Sequence, residues 1–187
     1  MNIGVLVSGT GSNLEAMIRE RVPIALVIAD RECRALEIAS HAGIPTELVE
    51  RADFGANFDR VWYTEKLVRI LERHSIHLVA MAGFMTFLSK EIFEKFDGHI
   101  VNTHPSLLPL YKGNRAVEDA LTAGATETGC TIHIATENLD DGKILAQERV
   151  PIMPGDNVEI LHERIKEAEH RLYPKILKDI LSGNLAL

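Results

Sequence analysis

An asparagine and a histidine two residues apart carry the clearest chemistry in this sequence. They close the run His99-Ile-Val-Asn-Thr-His104, which continues as Pro-Ser-Leu-Leu-Pro109. In an extended strand residues i and i+2 share a face, so the Asn102 amide and the His104 imidazole project together. An amide donor beside a titratable ring can stabilise an oxyanion and move a proton. Pro105 biases His104 toward extended backbone and fixes the strand exit. Further on, Asp140 and Asp141 sit in the loop Glu137-Asn-Leu-Asp-Asp-Gly142. A carboxylate there can orient His104 and favour its protonated form. An ordinary acidic hairpin turn has the same composition. His133, in Thr131-Ile-His-Ile134, is either a supporting member of this set or a satisfied strand histidine. His41, His74, His77, His99 and His162 lack polar neighbours of catalytic type and are read as structural or surface residues.

A second segment, Ser8-Gly-Thr-Gly-Ser-Asn13, lies between an apolar run and a helical pattern. Glycines there let a ligand approach the backbone, and a helix start offers free N–H groups to phosphate. The spacing is not that of a dinucleotide fingerprint, because Leu14 takes the third glycine's place. No GK[ST] follows, so it is not a P-loop either. A small phosphomonoester fits better than a dinucleotide or a nucleoside triphosphate. A plain strand-to-helix turn is the competing explanation.

The elements that must position these residues alternate. Strands are expected at Ile3–Val7, Ile24–Ala29, Thr46–Val49, Leu78–Ala82 and His99–Thr103. Helices are expected at Asn13–Arg21, Arg34–His41, Phe58–Arg73 and Ser89–Phe96. Near-continuous apolar strands between helices indicate a parallel sheet covered on both faces. The C-terminal edge of such a sheet binds ligands, and Asn102 and His104 fall there. After a helix at Ala116–Thr122, the runs Cys130–Ala135 and Ile144–Val150 can pair antiparallel, which would make the sheet mixed. Asp156-Asn-Val-Glu159 has capping-box spacing and opens a long helix. Pro174 is expected to kink or break it, and Gly183 to end it. The Leu108–Pro109 bond can be cis or trans.

Composition narrows the class. The 187 residues carry 20 Lys+Arg and 27 Asp+Glu, a net charge of −7. Such a balance argues against nucleic acid as the main partner. An apolar content of 46% supports a packed core, and 5% aromatics place that core on Val, Ile, Leu and Ala. The two cysteines, Cys33 and Cys130, suit a reduced compartment. No apolar run reaches the ~18 residues of a membrane span, and the N-terminal run is too short for a signal segment. A cytoplasmic chain forming one domain over residues 1–187 is expected. Oligomeric state is open between monomer and homodimer.

Several motifs then occur in one order: Ser8-Gly-Thr-Gly-Ser-Asn-Leu14, Ala82-Gly-Phe-Met85, Asn102-Thr-His-Pro-Ser-Leu-Leu-Pro109, His133 with Leu139-Asp140, and Glu169-His170 with Tyr173-Pro174. From Asn2 to about Gly183 the chain resembles the phosphoribosylglycinamide formyltransferases, the folate-dependent glycinamide ribonucleotide transformylases. The Asn-x-His-Pro-Ser-Leu-Leu-Pro segment marks the wider formyltransferase group, and the SGxGSNL opening marks this branch. The resemblance implies a Rossmann-like α/β formyltransferase fold with a mixed, mostly parallel sheet and helices on both faces. It implies a ribonucleotide-phosphate site in the N-terminal half, on Gly11, Ser12 and Asn13, with Arg60, Lys166 and Glu169 as further substrate contacts. It implies 10-formyltetrahydrofolate as cosubstrate, along Met85, Thr86, Phe87 and Leu88 and along Ala135–Asp140, with Asn102 and Asp140 also near it. Asn102, His104 and Asp140 match the catalytic trio, with His133 supporting them. No metal and no ATP are implied.

Three departures stand out. Thr86 replaces a common Arg, Arg115 stands near a usual histidine, and Lys143 follows Gly142 where a proline is common. The alternatives are 10-formyltetrahydrofolate hydrolase, methionyl-tRNA formyltransferase and a non-catalytic phosphate-ligand sensor. The hydrolase carries an extra N-terminal domain, and the tRNA enzyme carries a C-terminal RNA-binding domain. The chain length is expected to leave room for neither. Because both implied ligands are anionic, the site is expected to be locally basic, with Arg60, Arg115 and Lys166 as candidates.

Overall fold

The computed structural model describes residues 1–53, 55 and 57–187, which divide into two compact units, Met1–Val101 and Asn102–Leu187. The first runs β1 (Ile3–Val7), α1 (Ser12–Arg19), β2 (Ile24–Ala29), α2 (Arg34–His41), β3 (Thr46–Leu48), α3 (Arg60–Arg73), β4 (Leu78–Met81) and α4 (Lys90–Lys95). β5 (Ile100–His104) crosses the boundary in sequence. The second runs α5 (Ala116–Thr122), β6 (Glu127–Ile134), β7 (Ile144–Pro151) and α6 (Val158–Leu181). The strands form a mixed sheet of order β3-β2-β1-β4-β5-β6-β7. This is the mixed α/β sheet that the sequence pattern implies.

In the first unit β1 pairs in parallel with β2 and with β4, and β3 adds in parallel to β2. Every residue of β1 is buried, as its unbroken apolar run requires of a strand covered on both faces. Gly11 is the N-cap of α1 with φ of 76°, in the left-handed region. A Cβ there would also lie 2.9 Å from Cα and Cβ of Ala35 on α2. Glycine is therefore needed both for the turn and for the approach of two helices.

Two helix ends differ from expectation for identifiable reasons. α1 stops at Arg19 because Arg21 turns left-handed, with φ of 58°. The Arg21 N–H then reaches Ile18 O and the Val22 N–H reaches Met17 O, which closes the helix end. No glycine marks this turn, so the helical pattern overruns it. α3 starts at Arg60, not Phe58, because the Asp59 carboxylate accepts from Trp62 N at 2.9 Å and caps the helix.

In the second unit β6 and β7 pair antiparallel from Glu127↔Pro151 to His133↔Ile144. β6 thus starts earlier than the expected Cys130. α6 is capped by Asn157, whose side chain accepts from Ile160 N at 2.9 Å. Asp156, the expected cap, instead accepts from Met153 N at 2.8 Å and pairs with Arg164. Pro174 does not break the helix, which runs on to Leu181. Leu161, Ile165, Ala168, Tyr173, Ile176, Leu177 and Ile180 are buried on both sides of it. An interior proline costs about 3 kcal/mol. Burying several large apolar side chains, at roughly 1.5–3 kcal/mol each, offsets that. Val117, Cys130, Val150, Leu161, Ile165 and Ala168 form the core of this unit. Among the described residues, no helix is long and apolar enough to cross a membrane.

Because Gly11 meets both a left-handed φ and a backbone contact, Gly11→Ala should destabilise the protein by about 2–4 kcal/mol. A thermal melt should show the midpoint falling by on the order of 10 °C. An unchanged midpoint would mean that the turn and α2 adjust freely.

Candidate active site

β5 distributes its side chains by strand alternation. Asn102 Nδ2 lies 3.2 Å from His133 Nε2, while Thr103 Oγ1 donates to Glu169 Oε1 at 2.8 Å. His104, at the strand's end, is 5% exposed. Its Nε2 lies 2.8 Å from the Tyr111 carbonyl oxygen. A carbonyl only accepts, so Nε2 carries the hydrogen. Its Nδ1 faces Asp140 Oδ2 at 3.4 Å.

The loop that supplies the Tyr111 carbonyl is held from within. The Leu108–Pro109 bond is cis, and Tyr111 is left-handed at φ 53°. The Ser106 hydroxyl donates to Leu110 O at 2.5 Å. Thr131, fully buried on β6, donates to Ser106 O at 2.6 Å and accepts from Leu108 N at 3.0 Å and Gln147 Nε2 at 2.9 Å. One donated and two accepted bonds use the full capacity of a hydroxyl.

Asp140 is 8% exposed and is itself left-handed, with φ of 50°. Its Oδ2 accepts from Gly113 N at 2.9 Å. The residues flanking the bonds to His104 are joined as well, because Lys112 pairs with Asp141. A Cβ on Gly142 would lie 1.8 Å from Ile134 O, so only glycine allows this loop to return so tightly. The Lys143 carbonyl accepts from Ile134 N at 2.9 Å and closes it. Non-glycine residues held left-handed on both sides of one histidine are strain of the kind found at functional sites.

His133 is 1% exposed, and its Nδ1 lies 3.0 Å from the Ile134 carbonyl. Nδ1 therefore carries the hydrogen. Burial pushes its proton affinity below the ordinary histidine range, and the nearby His104 adds to this. The Ile134 carbonyl and Asp140 only partly oppose the shift. A neutral ring with Nδ1–H leaves a lone pair on Nε2, which can only accept from Asn102. That fixes which way the Asn102 amide points and leaves its second N–H for another acceptor. The register of the β6–β7 pair shifts opposite Ile132 and His133, where Leu145 of β7 is the extra residue.

The other expected residues fall as follows. Gly11, Ser12 and Asn13 open α1, and no side chain caps that helix start. Arg60 is the exposed first residue of α3. Met85 and Phe87 point outward at 63% and 56% exposure, whereas Thr86 and Leu88 are buried. Ala135, half-buried, directly follows β6. Glu169 is buried against Thr103. Of the cations expected to make the site basic, Lys166 pairs with Glu163 at 2.6 Å and Arg115 with Glu118 at 2.6 Å. Such surface pairs contribute little to stability. Tyr111, Gly113, Thr131 and Gln147 escaped the sequence reading. The first two act through backbone atoms, which have no side-chain signature. Thr131 was findable, since it stands two residues before His133 on the same strand face.

A protein family described as formyl transferase matches residues 1–177. A trifunctional purine biosynthetic protein adenosine-3 from Gallus gallus is 42% identical over 98% of this chain. The chain spans about a fifth of that relative's length, 19%. A phosphoribosylglycinamide formyltransferase from Mycobacterium tuberculosis is 42% identical over 90% of this chain and 79% of its own length. The crystal structure of a phosphoribosylglycinamide formyltransferase from Anaplasma phagocytophilum is similar with a TM-score of 0.91 and 40% identity, covering 100% of this chain and 90% of that one. With this geometry and these relatives, the chain belongs to the formyltransferase family, in its phosphoribosylglycinamide formyltransferase branch.

Proposed function

We propose that this chain transfers the formyl group of 10-formyltetrahydrofolate to the amine of glycinamide ribonucleotide, a step of de novo purine biosynthesis. The products are formylglycinamide ribonucleotide and tetrahydrofolate. The observation that carries this is the set of half-buried Asn102 with buried His104 and Asp140, in which the Tyr111 carbonyl orients His104 and the Ile134 carbonyl, through His133, orients Asn102.

The amine nitrogen attacks the formyl carbon, and the carbonyl electron pair moves onto the formyl oxygen. The free Asn102 N–H and an Nδ1–H on His104 donate to that oxyanion. The 3.4 Å spacing between His104 Nδ1 and Asp140 is longer than a tight charge-assisted bond of about 2.8 Å. A proton on Nδ1 can therefore be shared with a newly formed oxyanion. The attacking nitrogen must lose a proton, and Asp140 is the nearby base, directly or through a water. Collapse of the intermediate breaks the bond between the formyl carbon and the folate nitrogen. That nitrogen leaves with a proton as tetrahydrofolate. The formyl group arrives activated, so no step requires metal or ATP.

The ribonucleotide phosphate is assigned to the uncapped start of α1, on Gly11, Ser12 and Asn13. Arg60, Lys166 and Glu169 are assigned to the same substrate. Folate is assigned to Met85, Thr86, Phe87 and Leu88 and to Ala135–Asp140, mainly through backbone groups. In this reading residues 1–187 act as one formyltransferase domain in the cytoplasm, as monomer or homodimer. The runner-up is hydrolysis of 10-formyltetrahydrofolate, with water in place of the amine.

The purified protein should consume 10-formyltetrahydrofolate only when glycinamide ribonucleotide is present; equal turnover without the amine would establish the hydrolase instead. Asp140→Asn should lower kcat by roughly 10²–10⁴-fold while the ribonucleotide KM changes little. Comparable losses in both would make Asp140 a binding or structural residue. The neutral His133 predicts a pH effect on stability. Its proton affinity is lower folded than unfolded, so the unfolded chain takes up the proton first as pH falls through about 6.5. Stability is thus full above that range and declines below it. Urea midpoints at about pH 7.5 and 5.5 should show this loss, and His133→Gln should shrink it. His162, also pushed down by burial, titrates in the same window and accounts for part of the remainder. An undiminished loss in the variant would contradict the account.

A further inference from the structure

We propose that Ser8, Asp30 and Thr86 form a buried positioning cluster that sets the conformation of residues 83–88 for binding the folate cosubstrate. This rests on the assignment of folate to Met85–Leu88.

Asp30 directly follows β2 and is 0% exposed. Its Oδ1 accepts from Arg31 Nε at 2.9 Å, and its Oδ2 accepts from Arg31 Nη2 at 3.1 Å and from Thr86 Oγ1 at 2.7 Å. Ser8, just after β1, accepts from Met85 N at 2.8 Å and directs its own hydroxyl toward Asp30. Consecutive residues, 85 by its backbone and 86 by its side chain, are thus tied to the ends of adjacent strands. The tie converges on one carboxylate. Burial alone would push that carboxyl up, yet hydrogen bonds from Arg31, Thr86 and Ser8 together outweigh burial and hold it below the usual range. Asp30 is therefore charged at neutral pH. Tyr63 registers that charge, because its phenol is pushed up first by burial and then by Asp30.

The geometry has a direct consequence for a ligand. Thr86 donates its hydroxyl hydrogen to Asp30 and is 2% exposed, so its side chain is turned away from solvent. Alternation then turns Met85 and Phe87 outward, and the outer surface of this segment offers apolar side chains and backbone polar groups. A flat heteroaromatic ring with donors and acceptors along one edge matches such a surface. The Thr86 side chain acts by positioning the segment, and only the backbone of residue 86 is left to face the ligand.

The test compares Thr86→Val, Thr86→Ser and Asp30→Asn. Amide hydrogen exchange of residues 83–88 reports the cluster's hold on the segment. Steady-state kinetics report KM for 10-formyltetrahydrofolate against kcat and against KM for glycinamide ribonucleotide. Thr86→Val should speed exchange in that segment and raise the folate KM about tenfold, with kcat and the ribonucleotide KM nearly unchanged. Thr86→Ser, which keeps the hydroxyl, should restore both. Asp30→Asn should have the larger effect; if it fails to fold, the pair of Thr86 variants carries the test. Unchanged exchange in Thr86→Val would overturn the cluster. Faster exchange with an unchanged folate KM would overturn the assignment of folate to this segment and leave the hold on the segment standing. Lack of any amine-dependent turnover in the unsubstituted protein would overturn the proposed reaction.

Discussion

Two backbone carbonyls set the polarity of the candidate site. The Tyr111 carbonyl places a hydrogen on Nε2 of His104, and the Ile134 carbonyl places one on Nδ1 of His133. The histidines are thereby driven to opposite hydrogen placements. His104 is left with Nδ1 toward Asp140, and His133 with an Nε2 lone pair toward the Asn102 amide. The orientation of Asn102, and with it the direction of a free donor, follows from the second placement. Fixed donors of this kind need no reorganisation when charge develops on a bound acyl oxygen.

The rest of the second unit reads as support for those carbonyls. Thr131 and Gln147 grip the loop from Ser106 to Leu108, and Ser106 grips its far end at Leu110. The tight return at Gly142 and the bond from Gly113 hold Asp140 in a left-handed conformation. The backbone carbonyl of Lys143 closes the loop on Ile134. The first unit repeats the logic with a different anchor, the buried Asp30 carboxylate in place of a carbonyl.

Much of this was legible in the sequence. The alternation of unbroken apolar runs and helices specified the parallel strands, and period two put Asn102 and His104 at one strand end. Errors fell where the deciding group has no residue-type signature. Arg21 ends α1 in a conformation usually marked by glycine, and Pro174 stays helical because burial around it outweighs its backbone cost. Asn157 displaced Asp156 as a cap because Asp156 found Arg164. The same limit applies to the site. Its titratable members were legible as residue types, whereas the carbonyls and amides that orient them were not. At Thr86, which replaces a common Arg, the hydroxyl is bonded to the buried Asp30, a contact between distant residues that no residue type announces.

The claim that backbone carbonyls fix the site's polarity is tested most directly by nitrogen-15 spectra of the histidine rings. With uniformly labelled histidine at neutral pH, His133 should show a protonated Nδ1 and an unprotonated Nε2, and His104 should show a protonated Nε2. A His133 ring carrying its hydrogen on Nε2, or a His104 ring lacking one there, would contradict the account.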